Sequence, residues 1–248
     1  MHRKVFANKV FERKVVVVTG GGAGIGRALA IRFAQAGARL VIFDLQQETL
    51  DSLVQHLADH HNVEALGLCC DVADALAVQA AMQRVLERFG GIDILINNAG
   101  ITHRSTFAET ELAVFQRVMA VNYFGALHCT REALPSLIAR QGQVIVLSSL
   151  SGFAPLLYRS AYNASKHALH GLFETLRFEL RGSGVNIMLV CPGFTATDLR
   201  KNALVGDGSP TRQPPLAMGK VASPQDVAEA IYQGALQRRR LLVLSNVD

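Results

Sequence analysis

No apolar run of 18 residues occurs in the chain, so no segment is long enough to cross a bilayer as a helix, and stable membrane insertion is not expected. The basic start Met1-His2-Arg3-Lys4 leads into no apolar stretch of the kind a secretory signal needs. Low-complexity segments and internal repeats are absent. The cysteines Cys69, Cys70, Cys129 and Cys191 form no Cys-x-x-Cys pair, and no histidine spacing suits a metal, so no metal site is expected. Each cysteine falls in a segment that reads as core strand or helix. That predicts buried free thiols in a reducing compartment, and hence a cytoplasmic protein. A net charge of +5 comes from scattered residues, apart from Arg238-Arg239-Arg240, which reads as a solvated helix end. No nucleic-acid partner is expected.

What is present is a 248-residue chain, half hydrophobic and 18 % charged, which suits a soluble α/β protein with a sizeable core. Short apolar runs at 14–19, 40–43, 63–70, 92–96, 144–147, 185–191 and 241–244 read as strands. Segments of helical period separate them, two of them long, at about 109–139 (with Pro135 disturbing its last turns) and 158–180. Apolar strands alternating with helices predict a doubly wound, seven-stranded parallel sheet with helices on both faces, in a single domain spanning 1–248. Residues 194–222, rich in glycine, proline and polar groups, read as a mobile substrate lid.

The motifs sit where such a sheet puts its ligand. Thr19 to Gly26 reads TGGGAGIG between the first strand and first helix. Gly20, Gly22, Gly24, Ile25 and Gly26 are therefore expected to cradle a pyrophosphate against a helix N-terminus. Asp44 closes the second strand, where a carboxylate accepts hydrogen bonds from a ribose and repels a 2′-phosphate. NAD is therefore favoured over NADP. Asp71 and Val72 end the third strand and are placed at the adenine, with a helix-capping role for Asp71 as the alternative. Asn98, Ala99 and Gly100 end the fourth, where small residues let a cofactor lie against the strand tips. His103 and Arg104, just after them, read as a solvated loop, with contact to a polar substrate group as the alternative. The stretch Phe153 to Leu157, with Phe194, Leu199 and Leu204, reads as an apolar pocket wall or as core.

Tyr162 and Lys166, four apart, share one helix face. An ammonium ~4 Å from a phenol, at an effective dielectric of ~20, favours the phenolate by about 4 kcal/mol and would bring it from about 10 to near 7. Alone, the pair could equally be an exposed aromatic–cation contact.

Taken as an ordered set, TGGGAGIG at 19–26, DV at 71–72, NNAG at 97–100, Asn122, Ser149, YNASK at 162–166 and PGFTAT at 192–197 resemble the short-chain dehydrogenase/reductase family, in its non-extended branch. The resemblance covers nearly the whole chain. It implies a catalytic tetrad of Asn122, Ser149, Tyr162 and Lys166, with Ser148 the rival for the serine. It also implies cofactor contacts from Tyr162, Lys166, Pro192, Gly193, Thr195 and Thr197. The implied reaction is hydride transfer between NAD(H) and a small-molecule secondary alcohol or ketone, with apolar bulk. A homodimer or homotetramer is expected, with Phe115, Met119, Phe124 and Phe173 as candidate contacts. Two other readings are a noncatalytic NAD-binding sensor on the same fold and an enzyme acting at a membrane surface.

Overall fold

A computed structural model describes residues 9–199, 201–212 and 221–245. Its strands are β1 (Val15–Thr19), β2 (Arg39–Asp44), β3 (Ala65–Cys69), β4 (Ile94–Asn97), β5 (Gln143–Leu147), β6 (Asn186–Pro192) and β7 (Leu241–Leu244). Its α-helices are α1 (Gly24–Ala34), α2 (Gln47–His61), α3 (Ala75–Phe89), α4 (Leu112–Met119), α5 (Gly125–Ala139), α6 (Ser160–Glu179) and α7 (Pro224–Leu236). The sheet has the order β3-β2-β1-β4-β5-β6-β7, and every pairing is parallel. This is the seven-stranded Rossmann-like arrangement expected.

Strand residues alternate between two cores, as the two-residue pleat requires. Val16, Val18, Leu40, Ile42 and Val190 pack with α1, α2 and α7. Val15, Val17, Val41, Phe43 and Leu189 pack with α3, α5 and α6 on the other face. Each fully buried aliphatic side chain stabilises the fold by about 2 kcal/mol. Below β4, the buried carboxylate of Asp93 accepts from Lys14 (3.0 Å), Arg140 (3.1 Å) and the Val15 N–H (2.9 Å), tying β1, β4 and the end of α5 together. Strand order reverses between β1 and β4, so a crevice opens at their C-terminal ends.

The long helix expected over about 109–139 is two helices joined by a π-turn, Ala120–Phe124. There the Gly125 N–H donates to the Ala120 carbonyl, five residues back. α4 starts at Leu112 because Glu109 and Thr110 are held in turns, their N–H groups donating to the carbonyls of Thr106 and Phe107. α6 starts two residues late, at Ser160, because Tyr158 adopts a left-handed backbone (φ 62°). β3 and β4 are likewise shorter than their apolar runs. Cys69 is exposed, against expectation, because β3 is an edge strand; Cys70, Cys129 and Cys191 are buried free thiols. Phe173 faces the core, whereas Phe124 is exposed. Of the expected lid, residue 200 and residues 213–220 lie outside the described residues, as do the basic residues 1–4.

Candidate active site

β1 ends at Thr19 and the chain turns through Gly20 before α1 begins at Gly24. Gly20 has φ 61°, and a Cβ there would lie 2.8 Å from the Ala99 Cα. A Cβ on Gly26 would lie 2.2 Å from the Gly20 carbonyl oxygen. Only glycine permits this approach of helix, turn and neighbouring strand. Asn98 fastens the same junction: its amide donates to the carbonyls of Thr19 and Gly20 (both 2.9 Å), while Thr19 Oγ1 accepts from the N–H groups of Asn98 and Ala99 (both 3.0 Å).

Asp44 turns back onto this loop. Its Oδ2 accepts from the Gly22 N–H and its Oδ1 from the Leu45 N–H, both at 2.8 Å. Asp71 accepts from the Ala73 N–H (2.9 Å), and α3 is capped by Asp74 instead. That removes the capping alternative for Asp71.

A cleft of about 730 Å³ runs from these residues to the tips of β5 and β6. Gly20, Gly24, Ile25, Asp44, Asp71, Val72, Asn98, Ala99, Gly100, Ser149, Tyr162, Lys166, Pro192, Gly193, Thr195 and Thr197 all line it. Gly22, Gly26 and Asn122 do not: the two glycines shape the loop, and Asn122 lies behind the wall.

Asn122 sits in the π-turn and is 1 % exposed. Its Oδ1 accepts from the Ile101 N–H (2.8 Å), and its Nδ2 donates to the Ile101 carbonyl (3.0 Å) and to Ser165 Oγ (2.9 Å). It therefore clamps the loop after β4 to the face of α6 that carries Lys166.

Lys166 is buried, donates to the Leu147 carbonyl (2.7 Å), and stands 5.6 Å from the centroid of the Tyr162 ring. Loss of solvent pushes its pKa down to about 8, so it is charged at neutrality. Tyr162 is buried as well, and burial holds its phenol above the ordinary value; a hydrogen bond to Ser149 and the charge of Arg159 pull the other way. The expectation that Lys166 brings the phenol near 7 is therefore corrected: in this structure desolvation outweighs the favourable charges. Ser149, at the tip of β5, serves the phenol, and its Oγ also accepts from the Ser151 N–H (3.1 Å). Ser148 Oγ is engaged by His170 Nε2 (2.9 Å) and donates weakly to the Lys166 carbonyl (3.4 Å), which favours Ser149 as the reacting serine.

Beyond Tyr162, Ala154 to Leu157, Phe194 and Leu199 form an apolar wall. Two expected wall residues lie elsewhere. The Phe153 ring packs edge-on against His170 (4.6 Å), and Leu204 is buried in a main-chain bridge with His103. His103 is not solvated: it is fully buried, and among the described residues nothing pairs with either ring nitrogen. Burial first, and the Arg159 charge second, push its pKa down to about 4. Arg117, Tyr158 and Arg159 also line the cleft and were missed by the sequence reading. Helical spacing gave a signal for Arg159, which stands three residues before Tyr162.

Residues 14–206 match the family model described as short chain dehydrogenase. The chain belongs to the short-chain dehydrogenase/reductase family. It is 37 % identical over 239 residues to dehydrogenase/reductase SDR family member 7B of Xenopus tropicalis, a match covering 94 % of this chain and 77 % of that protein. A short-chain dehydrogenase/reductase from Burkholderia phymatum, solved in complex with NAD, superposes with a TM-score of 0.85 at 29 % identity, over 94 % of this chain and 89 % of that one. One from Sphingobium yanoikuyae, solved with NADPH, gives 0.83 at 27 % identity, over 93 % and 87 %. As a short-chain dehydrogenase/reductase, the protein is an NAD(P)-dependent oxidoreductase. Its cleft fits such a cofactor: the turn that Gly20 and Gly26 hold too close for a Cβ opens onto the same cleft as the tyrosine and lysine.

Proposed function

We propose that this short-chain dehydrogenase/reductase interconverts a secondary alcohol and its ketone, with NAD(H) as the preferred coenzyme. The observation that carries this reading is the convergence of Ser149, Tyr162 and Lys166 on one cleft, with Asp44 at its other end. The bound dinucleotide supplies the hydride acceptor or donor. In reduction, the protonated Tyr162 phenol gives its proton to the carbonyl oxygen; in oxidation, the phenolate accepts the hydroxyl proton. Ser149 holds the substrate oxygen at the same point, by a hydrogen bond that strengthens as charge develops there. Lys166, cationic at neutrality, lies close enough to favour the phenolate once the substrate enters. Asn122 keeps loop and helix in register around that ammonium. Asp44 favours NAD because its carboxylate repels a 2′-phosphate while remaining fixed to the Gly22 N–H.

Residues 194–222 are proposed as the substrate lid, with Phe194 and Leu199 facing the substrate. A homodimer or homotetramer is proposed from the exposed Leu112, Phe124 and Ile138 on and between α4 and α5. A cytoplasmic location is proposed on the free thiols. The decisive experiment is Tyr162→Phe, assayed on a panel of ketones by NADH absorbance. Turnover should fall by at least about a hundredfold while NADH binding persists. Near-normal turnover refutes the proposal, and an inactive wild type that binds NAD tightly favours the sensor.

A further inference from the structure

The sequence leans to an apolar substrate, but three arginines, Arg104, Arg117 and Arg159, are among the residues that line the cleft. Three acids line it too. Asp44 and Asp71 lie at the dinucleotide end, and Asp198 pairs with Lys201 (2.9 Å).

Arg159 is built into its position. The preceding residue, Tyr158, holds a left-handed backbone (φ 62°), a conformation that strains a bulky side chain. Nη1 of Arg159 donates to Thr102 Oγ1 (2.9 Å) and to the His103 carbonyl (2.5 Å), which aligns the guanidinium fork. Three residues later, across the first turn of α6, comes Tyr162, and the Arg159 charge registers on that phenol and on His103. A cation is unfavourable at this end of α6, whose first turn holds no acidic residue. A strained backbone therefore presents a cation where the helix itself would prefer an anion, one turn from the reacting tyrosine.

Resting on the oxidoreductase reading above, we propose that the substrate carries an anionic group, a carboxylate or a phosphate, close to its reacting carbon and seated on Arg159. Arg104 and Arg117 extend the positive field toward the rim, and the Ala154 to Leu157 wall takes the apolar remainder. Arg159 is thus a specificity-determining residue: its planar fork matches either anion.

The test uses the whole enzyme and matched probes. NADH-dependent reduction is compared for 4-oxopentanoate and its methyl ester, and for hydroxyacetone phosphate and hydroxyacetone. The charged member should have about a tenfold or greater advantage in kcat/KM, carried by KM, as one charge-assisted contact allows. Arg159→Met should bring each pair within about twofold, and Arg159→Lys should restore part of the preference. Arg159→Gln, which keeps donors for Thr102 and His103, serves if the methionine variant does not fold. A merely structural Arg159 would leave the charge preference intact in that variant, and this result overturns the proposal. In parallel, calorimetry of the enzyme–NAD complex compares butyrate and methyl phosphate with butyramide, independently of turnover. Equal turnover of charged and neutral ketones refutes the anion site and leaves the redox reading standing. Arg159-dependent anion binding without turnover of any ketone does the reverse. Anions that bind no better than the amide also overturn it. The carboxylate and phosphate arms identify which anion the site prefers.

Discussion

Replacing His103 by leucine should make the protein less sensitive to acid. The imidazole is fully buried, beneath the segment that carries Leu204, and neither ring nitrogen has a partner among the described residues. Its pKa is depressed from 6.5 to about 4, so between those values the unfolded chain binds a proton that the folded one refuses. Stability from this residue is therefore complete above pH 6.5, falls as the pH drops, and is fully lost below about pH 4. The loss amounts to about 2 kcal/mol at pH 5 and about 3 kcal/mol below pH 4. His103→Leu removes the titration and also the two buried, unpaired nitrogens, so at pH 8 the variant should match or exceed the wild type by about 1 kcal/mol. Urea denaturation of both proteins at pH 8 and pH 5 gives the comparison. The wild type should lose about 2 kcal/mol more than the variant between the two pH values. If the two acid losses agree within about 0.5 kcal/mol, the buried neutral imidazole is the wrong account.

Two further outcomes test the cofactor loop and the base of the sheet. Asp44→Ala should weaken NAD binding by about tenfold, and NADP binding by less, because only the former uses the carboxylate; equal losses in fluorescence titrations would contradict the ribose contact. Asp93→Asn leaves Lys14 and Arg140 facing a neutral amide, and should lower stability by about 2–3 kcal/mol in urea; a change below about 0.5 kcal/mol would show that the cluster contributes little.

Much of this architecture was legible because its signals are local. The four valines of β1, the glycine turn after it and the serine–proline start of α7 each act within a few residues. The Tyr162–Lys166 spacing was equally local, but its electrostatics were not: burial depends on everything packed around α6, and that set the direction of the phenol's shift. His103 was misread for the same reason. A histidine followed by an arginine in a loop looks solvated until a segment a hundred residues later folds over it. Cys69 was misread because nothing in its neighbourhood reveals that β3 forms a sheet edge. Arg159 escaped notice because its significance depends on the left-handed Tyr158, a backbone state the residue type argues against.

The π-turn at Ala120–Phe124 constrains how this chain can change in length. In an ordinary α-helix, positions four apart creep about 40° around the axis at each step. The wider winding here takes up that creep, so Val118, Asn122 and Ala126 stay in one buried file although they are spaced by fours. Removing one residue from the turn would give the backbone its regular ladder back. Four α-helical residues rotate about as far as the five of this turn, so Val114 and Val118 would keep their direction relative to Cys129 and Ala133, and what would be lost is the widened turn that seats Asn122. A relative that lacks one of these five residues should therefore keep both flanking helices packed as here, and should lose the Asn122 clamp instead.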